Sequence, residues 1–336
     1  MLISSFCFSD IELKNEVENE ATHKNQTCSI SGQNGDLIES EHFDDFFVCI
    51  ISLFKKNPVS RIPLIKAIQS RWNIFSKDNY GEMFLNELCY RKNLGITASD
   101  LVSFENHIQT GINLWGKIRE ELTGKNRYFV NPEEIRSRGL IEIPDGCKIL
   151  KKGEILYRSR ITDEGKVKMK PSEMKCPPSN KTRAGRANPG GIPYLYLCKD
   201  IKTTYYEVRA GFLDNISVGR FIIKRDLNIV DFDYQLNPYP VFIDGGEDEL
   251  KKQVIKYEFL KDVRDDLSKP LKRYDTELEY VPTQWISEYC KIEGADGISF
   301  ASSLDGEGTN YVLFNQNDAK CTQVTPHTIH KIEITD

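Results

Sequence analysis

The stretch Gly185-Arg186-Ala187-Asn188-Pro189-Gly190-Gly191-Ile192-Pro193-Tyr194-Leu195-Tyr196-Leu197-Cys198-Lys199-Asp200-Ile201-Lys202-Thr203-Thr204-Tyr205-Tyr206-Glu207-Val208-Arg209 changes character twice. Its glycines and prolines set a loop, because Pro fixes its own φ and Gly tolerates positive φ. Tyr194–Leu197 then reads as a buried strand, and Asp200 as the cap of a short helix reaching about Ala210. Upstream, Glu154–Arg160 alternates as a strand does, and Val167–Ala187 is a loop rich in Lys, Arg and Pro. Downstream, Val218–Ile223 and Leu227–Phe232 read as strands, and Glu249–Leu267 as an amphipathic helix stopping before Pro270. Pro282 opens a further helix that ends at Gly294, followed by strands Gly297–Ala301 and Tyr311–Phe314. Strands and helices mixed without a βαβ rhythm predict an α+β domain over residues 146–336.

Working back to the N-terminus, periodicity predicts a small helical domain over residues 38–145. Phe43, Phe46, Phe47, Ile50 and Phe54 fall on one helical face. Pro63 starts a second helix carrying Ile65, Ile68, Trp72 and Phe75, and a third covers about Glu82–Cys89. A fourth runs from about Phe104 to Thr123, with Gly124 as its C-cap. Residues 1–37 are polar and read as an irregular lead. Cys7 and Cys28 in that lead resemble half of a zinc ribbon. Position 4, which would complete one pair, is Ser4, and position 31, which would complete the other, is Ser31. A structural zinc needs four good ligands, so the expectation is a degenerate ribbon and no metal.

Composition closes off several classes. The 336 residues are 39% hydrophobic, 28% charged and 10% aromatic, which excludes a wholly disordered chain. The most apolar run, Phe46–Phe54, is about half the roughly 20 residues that span a bilayer. Met1–Cys7 lacks a basic n-region and soon meets Asp10 and Glu12, so the expectation is a cytoplasmic protein with reduced cysteines. A net charge of −5 gives no general electrostatic case for nucleic-acid binding. Against that acidic background, residues 148–186 hold twelve basic residues and four acidic ones; the lysines read as a solvated loop, while Arg158 and Arg186 are placed to meet a polyanionic ligand.

Single residues in the C-terminal half are individually ordinary. Arg186 between glycines has the fork geometry for phosphate. Glu207 has Thr203 and Gly211 at i±4, so no local lysine pairs with it, though Arg160 or Arg209 remains available. In order, however, the motifs are collectively specific. They are Leu156-Tyr157-Arg158; Gly185-Arg186-x-Asn188-Pro-x-Gly191-Ile-Pro-x-Leu195-Tyr196-Leu; Thr203-x3-Glu207-x-Arg209; Tyr280-x-Pro282-Thr283-Gln284; Asp296-Gly297-Ile-x-Phe300-x-Ser302-Ser303; and Asn310-x-Val-Leu-Phe314. This series resembles the RES domain family over about residues 150–316. Ala301 stands where many members have Pro. The helical N-terminal part more weakly resembles the accessory domain of some longer members.

The resemblance implies a split-sheet fold related to ADP-ribosyltransferases and a toxin that consumes NAD, held inactive by an antitoxin partner. It implies Arg158, Glu207 and Ser302 as catalytic residues, and Arg186, Tyr196, Tyr157 and Asn188 as substrate-binding residues. NAD would be substrate rather than cofactor, in keeping with the lack of a Gly-x-Gly-x-x-Gly motif; phosphate is a possible co-substrate. The expected reaction is cleavage of the nicotinamide–ribose bond by phosphorolysis or hydrolysis. Protein ADP-ribosyltransfer, or a catalytically inactive binding or regulatory protein, are the alternatives.

Overall fold

The computed structural model describes residues 1–232, 245–269, 277–302 and 308–330. The chain divides into two units, Met1–Asn113 with Gln235–Glu258, and Leu114–Tyr234 with Phe259–Asp336.

In the second unit an eight-stranded sheet is built around strand Ile155–Ile161. In spatial order its strands are Ala319–Thr328, Asn215–Ile223, Ile155–Ile161, Leu195–Cys198, Thr309–Leu313, Gly297–Ala301, Leu227–Asp231 and Lys148–Leu150. All neighbours are antiparallel except Leu227–Asp231 beside Gly297–Ala301. The domain is therefore α+β, as its element pattern predicts. Leu156, Leu195, Leu197, Phe221, Ile229 and Leu313 form its buried apolar cluster.

One irregularity in this sheet positions the site. Ile155–Ile161 pairs along its whole length with Asn215–Ile223, yet only Tyr157↔Cys198 joins it to Leu195–Cys198. Continuing that antiparallel register would set Arg158 opposite Leu197 and Ser159 opposite Tyr196. The ladder stops instead, and those four residues border a cavity.

In the first unit, residues 1–37 are not the irregular lead that their polarity predicts. Strands Leu2–Ser4, His23–Thr27 and Asn34–Glu39 form an antiparallel sheet with Asn34–Glu39 in the middle. Helix Ile11–Glu20 joins them, capped by the Asp10 carboxylate, which accepts from the Glu12 and Leu13 amides. Strand His23–Thr27 has no large apolar residue, so it carries no alternation signal; its partner strand recruits it. The helices near residues 44–91 are Asp44–Ser52, Leu64–Trp72 and Asp78–Arg91, around Phe8, Phe43, Phe47, Phe75 and Phe84. Phe47 and Phe84 lie 4.5 Å apart between ring centroids.

Other differences follow from contacts that are distant in sequence. Phe54 belongs to strand Phe54–Lys56 rather than to the helix before it, because its ring stacks on Phe104, 4.8 Å away. The predicted helix Phe104–Thr123 is two helices, Asn106–Ile112 and Leu114–Gly124, and the division between the units falls at this break. Helix Gly246–Ser268 ends as expected, although Pro270 itself lies outside the described residues. Edge strands Lys148–Leu150 and Ala319–Thr328 carry no clear sequence signal. The latter is mostly polar and contains Pro326, which an edge strand tolerates. Among the described residues, no helix is long and apolar enough to cross a membrane.

Candidate active site

The site starts from the short helix Ile201–Glu207. Asp200 Oδ1 accepts from the Thr203 amide at 2.9 Å and Oδ2 from the Thr203 hydroxyl at 2.7 Å, so the cap read from sequence is present. The Thr204 and Ser159 hydroxyls, 2.5 Å apart, tie this helix to the central strand. Glu207 is the last helical residue, where the dipole disfavours a carboxylate. Two donors offset that. Ser302 Oγ donates to Glu207 Oε1 at 2.9 Å and Asn310 Nδ2 donates to the same oxygen at 2.7 Å. The Cys198 thiol donates to Asn310 Oδ1 at 3.2 Å, which turns the amide nitrogen towards Glu207.

Ser302 reaches this position because its amide donates to the Gly308 carbonyl at 2.7 Å. A Cβ at Gly308 would come within 2.3 Å of Thr203 Oγ1, so only glycine lets the chain pass so near the helix. Ser303 and residues 304–307 lie outside the described residues. Neither Arg160 nor Arg209 forms an ion pair with Glu207. Arg160 donates to the Lys175 carbonyl at 2.6 Å, and Arg209, at φ 50°, borders the cavity.

The loop carrying Arg186 is fixed from both sides. Asn188 Nδ2 donates to the carbonyls of Arg183, Pro189 and Ile192 at 3.0–3.1 Å, and its Oδ1 accepts from the Tyr196 hydroxyl at 2.8 Å. The Ala187 amide donates to that same hydroxyl at 3.0 Å. From helix Val281–Ile292, Thr283 Oγ1 donates to the Arg186 carbonyl at 2.6 Å and Gln284 Nε2 to the Gly185 carbonyl at 2.9 Å. A side chain at Gly185 would press to 2.6 Å from Asn188 Oδ1 and 2.8 Å from the Tyr196 hydroxyl. Burial holds the Tyr196 phenol well above its ordinary pKa, so it acts here as a neutral hydrogen-bonding group.

Arg158 brings the most unusual electrostatics. Its Nη1 is buried without a hydrogen-bond partner among the described residues. Burial, and next the positive charge of Arg160, press its pKa below the ordinary arginine value, against the opposing pull of Cys176 and Tyr196. An arginine held this way stays charged, and no carboxylate among the described residues forms an ion pair with it. Arg158, Arg186, Tyr196, Glu207, Arg209, Tyr280 and Asn310 are among the residues lining a cavity of about 320 Å³. This arrangement sets a hydrogen-bonded carboxylate beside cationic side chains in a partly enclosed space, with the chemistry to receive a small anion.

Six of the seven residues expected from sequence are thus brought together, with Ser302 and Asn188 acting through bonds to Glu207 and Tyr196. Tyr157 is different: its backbone supplies the single pair to Cys198, and it does not line the cavity. Asn310, Thr283 and Gln284 stand within the quoted motifs without having been assigned a role. An asparagine on a strand of apolar neighbours, Asn310-Tyr311-Val312-Leu313, was the available signal for the first. Among the described residues, no group of three or more His, Cys, Asp or Glu side chains is arranged to hold a metal ion.

The fold and site define an α+β domain with an arginine-bordered cavity around a hydrogen-bonded glutamate. The chain matches the RES domain over residues 155–334, more than half its length, and belongs to the RES domain family. Among solved structures it is similar to a chain described as the crystal structure of the M. tuberculosis MbcT-MbcA toxin-antitoxin complex. That alignment has 14% identity and a TM-score of 0.34, covering 56% of this chain and 92% of the other. No curated protein matches it.

Proposed function

We propose that this chain is an enzyme that degrades NAD by breaking the bond between nicotinamide and ribose, with phosphate or water as acceptor. The observation that carries this reading is Glu207 Oε1 held by Ser302 and Asn310 at the wall of a cavity that also presents Arg158 and Arg186. As the C1′–N bond breaks, its electron pair leaves on nicotinamide. The ring passes from pyridinium to neutral, so no general acid is required, and positive charge develops on the ribose. The free carboxylate oxygen of Glu207 accepts from the ribose hydroxyls and faces that charge. Arg158 and Arg186 receive the pyrophosphate, for which the unpartnered Nη1 of Arg158 is suited. Tyr196, pinned by Asn188, supplies a neutral wall.

The fold is read as related to ADP-ribosyltransferases, and the biological role as that of a growth-arresting cytoplasmic toxin restrained by an antitoxin. Both rest on the family resemblance. The test is to incubate the purified protein with NAD, with and without phosphate, and to identify the products by mass spectrometry. Nicotinamide with ADP-ribose 1″-phosphate indicates phosphorolysis, and nicotinamide with ADP-ribose indicates hydrolysis. Intact NAD after prolonged incubation with folded protein, or ADP-ribose found only on protein side chains, would refute the proposal.

A further inference from the structure

The degenerate ribbon positions Ser4, Cys7, Cys28 and Ser31 are brought together by the N-terminal sheet. Cys7 Sγ lies 3.5 Å from Cys28 Sγ; Ser4 Oγ lies 4.0 Å from Cys7 Sγ and 3.5 Å from Ser31 Oγ. A tetrahedral zinc about 2.3 Å from its ligands sets them about 3.8 Å apart, close to these three separations. The donor set does not fit the ion. Two of the four positions are serine hydroxyls, which do not ionise near neutral pH as thiols do.

What remains is a buried dithiol with a fixed geometry. Cys7 and Cys28 are 1% and 2% exposed. The turn holding Cys28 is closed by Cys28 N–H to the Gln33 carbonyl at 2.9 Å and Gly32 N–H to the Cys28 carbonyl at 3.1 Å. It is also bound to the first strand by Ser29 N–H to the Leu2 carbonyl at 2.8 Å. The Ser31 amide donates to Cys28 Sγ at 3.3 Å.

We propose that Cys7 and Cys28 form a reversible disulfide that fastens the turn Ser5–Cys7, just after the first strand, to the turn before Asn34–Glu39. The sulfurs need approach only from 3.5 Å to the bond length of about 2.05 Å. With hydrogen peroxide as oxidant, the Cys28 thiolate attacks one peroxide oxygen, giving a sulfenic acid and hydroxide, which takes up the proton released by Cys28. The Cys7 thiol then attacks the sulfenic sulfur; the S–S bond forms and water leaves. In sum, two thiols and one peroxide give one disulfide and two waters. Cys28 is the nucleophile because the Ser31 amide donates to its sulfur at 3.3 Å, a bond that favours the thiolate and is independent of Cys7. Cys7 is driven the opposite way by the neighbouring thiolate and by burial.

The test uses the full chain, incubated folded with hydrogen peroxide, then alkylated in denaturant, digested and mapped by mass spectrometry. The expected result is loss of two of the nine alkylatable thiols and a peptide linking Cys7 to Cys28, reversed by dithiothreitol. The cross-link closes a loop whose ends are 21 positions apart, so the unfolding temperature should rise by roughly 5 °C. Cys7→Ala should leave Cys28 as a sulfenic acid trappable by dimedone. Nine free thiols after oxidation, a disulfide joining any other pair, or one zinc bound to the reduced chain would overturn the proposal. None of these readouts involves NAD, so this inference and the proposed activity stand or fall separately.

Discussion

Glu207→Gln separates chemistry from folding at the centre of the site. The substitution keeps the length of the side chain and leaves an amide oxygen for Ser302 and Asn310, which now donate at 2.9 and 2.7 Å to one carboxylate oxygen. Each of these bonds changes from charged to neutral acceptor, a loss of about 1 kcal/mol apiece. The variant should fold, with a melting temperature lowered by a few degrees. The rate effect is larger. A carboxylate about 4 Å from a unit positive charge, at an effective dielectric near 20, is worth about 4 kcal/mol. Losing it should slow single-turnover NAD cleavage by about a thousandfold, within a range of about two to four orders of magnitude. NAD binding, measured by calorimetry, should change little, because that charge develops only in the transition state. If Glu207 were instead a structural anchor for Ser302 and Asn310, Gln would lower stability and leave the rate of the folded fraction intact. Near-normal cleavage by folded Glu207→Gln protein would refute the reasoning.

Arg158→Ala should behave in the opposite way, weakening NAD binding at least tenfold by calorimetry with a smaller effect on the rate of bound substrate, since a pyrophosphate contact exists before and during reaction. Asn310→Ala removes one of the two donors to Glu207 and should lower the single-turnover rate by about tenfold; a rate unchanged within error contradicts the positioning read from the 2.7 Å bond. Elemental analysis should find no stoichiometric zinc in the native chain and one zinc in Ser4→Cys/Ser31→Cys, whose four thiolates would complete a cage of the right size. Stability should also fall in acid. Burial pushes the Asp44 carboxyl up, but bonds from Arg91 at 2.6 and 2.7 Å and Lys92 at 2.9 Å bring it below its ordinary value. A depressed carboxyl stabilises the fold above its unfolded pKa of about 3.9, and that contribution disappears as pH falls through the folded value. Melting curves below about pH 4 should therefore be less pH-dependent for Asp44→Asn than for the native chain.

Much of the C-terminal half was legible because its signals are local. Strand Ile155–Ile161, the Asp200 cap, helix Val281–Ile292 and the glycine-flanked Arg186 each follow from neighbours within a few residues. The order of the motifs then pointed, without distances, to Arg158, Arg186, Tyr196 and Glu207, which border the cavity. The N-terminal half was less legible. His23–Thr27 becomes a strand only because Asn34–Glu39 offers it an edge, and Phe54 leaves its helix only because Phe104 lies opposite.

From the sequence alone came the α+β class, the ordered motifs and the residue types at the site, since each depends on periodicity, turn chemistry and side-chain identity along the chain. The tertiary structure decided which of those residues cooperate. It broke the ladder after Tyr157↔Cys198 so that a cavity opened, and it aimed Ser302 and Asn310 at one oxygen of Glu207. It also brought two thiols 21 positions apart to 3.5 Å. Contacts between residues distant in the chain are fixed by packing of the whole unit, and no local pattern of residues encodes them.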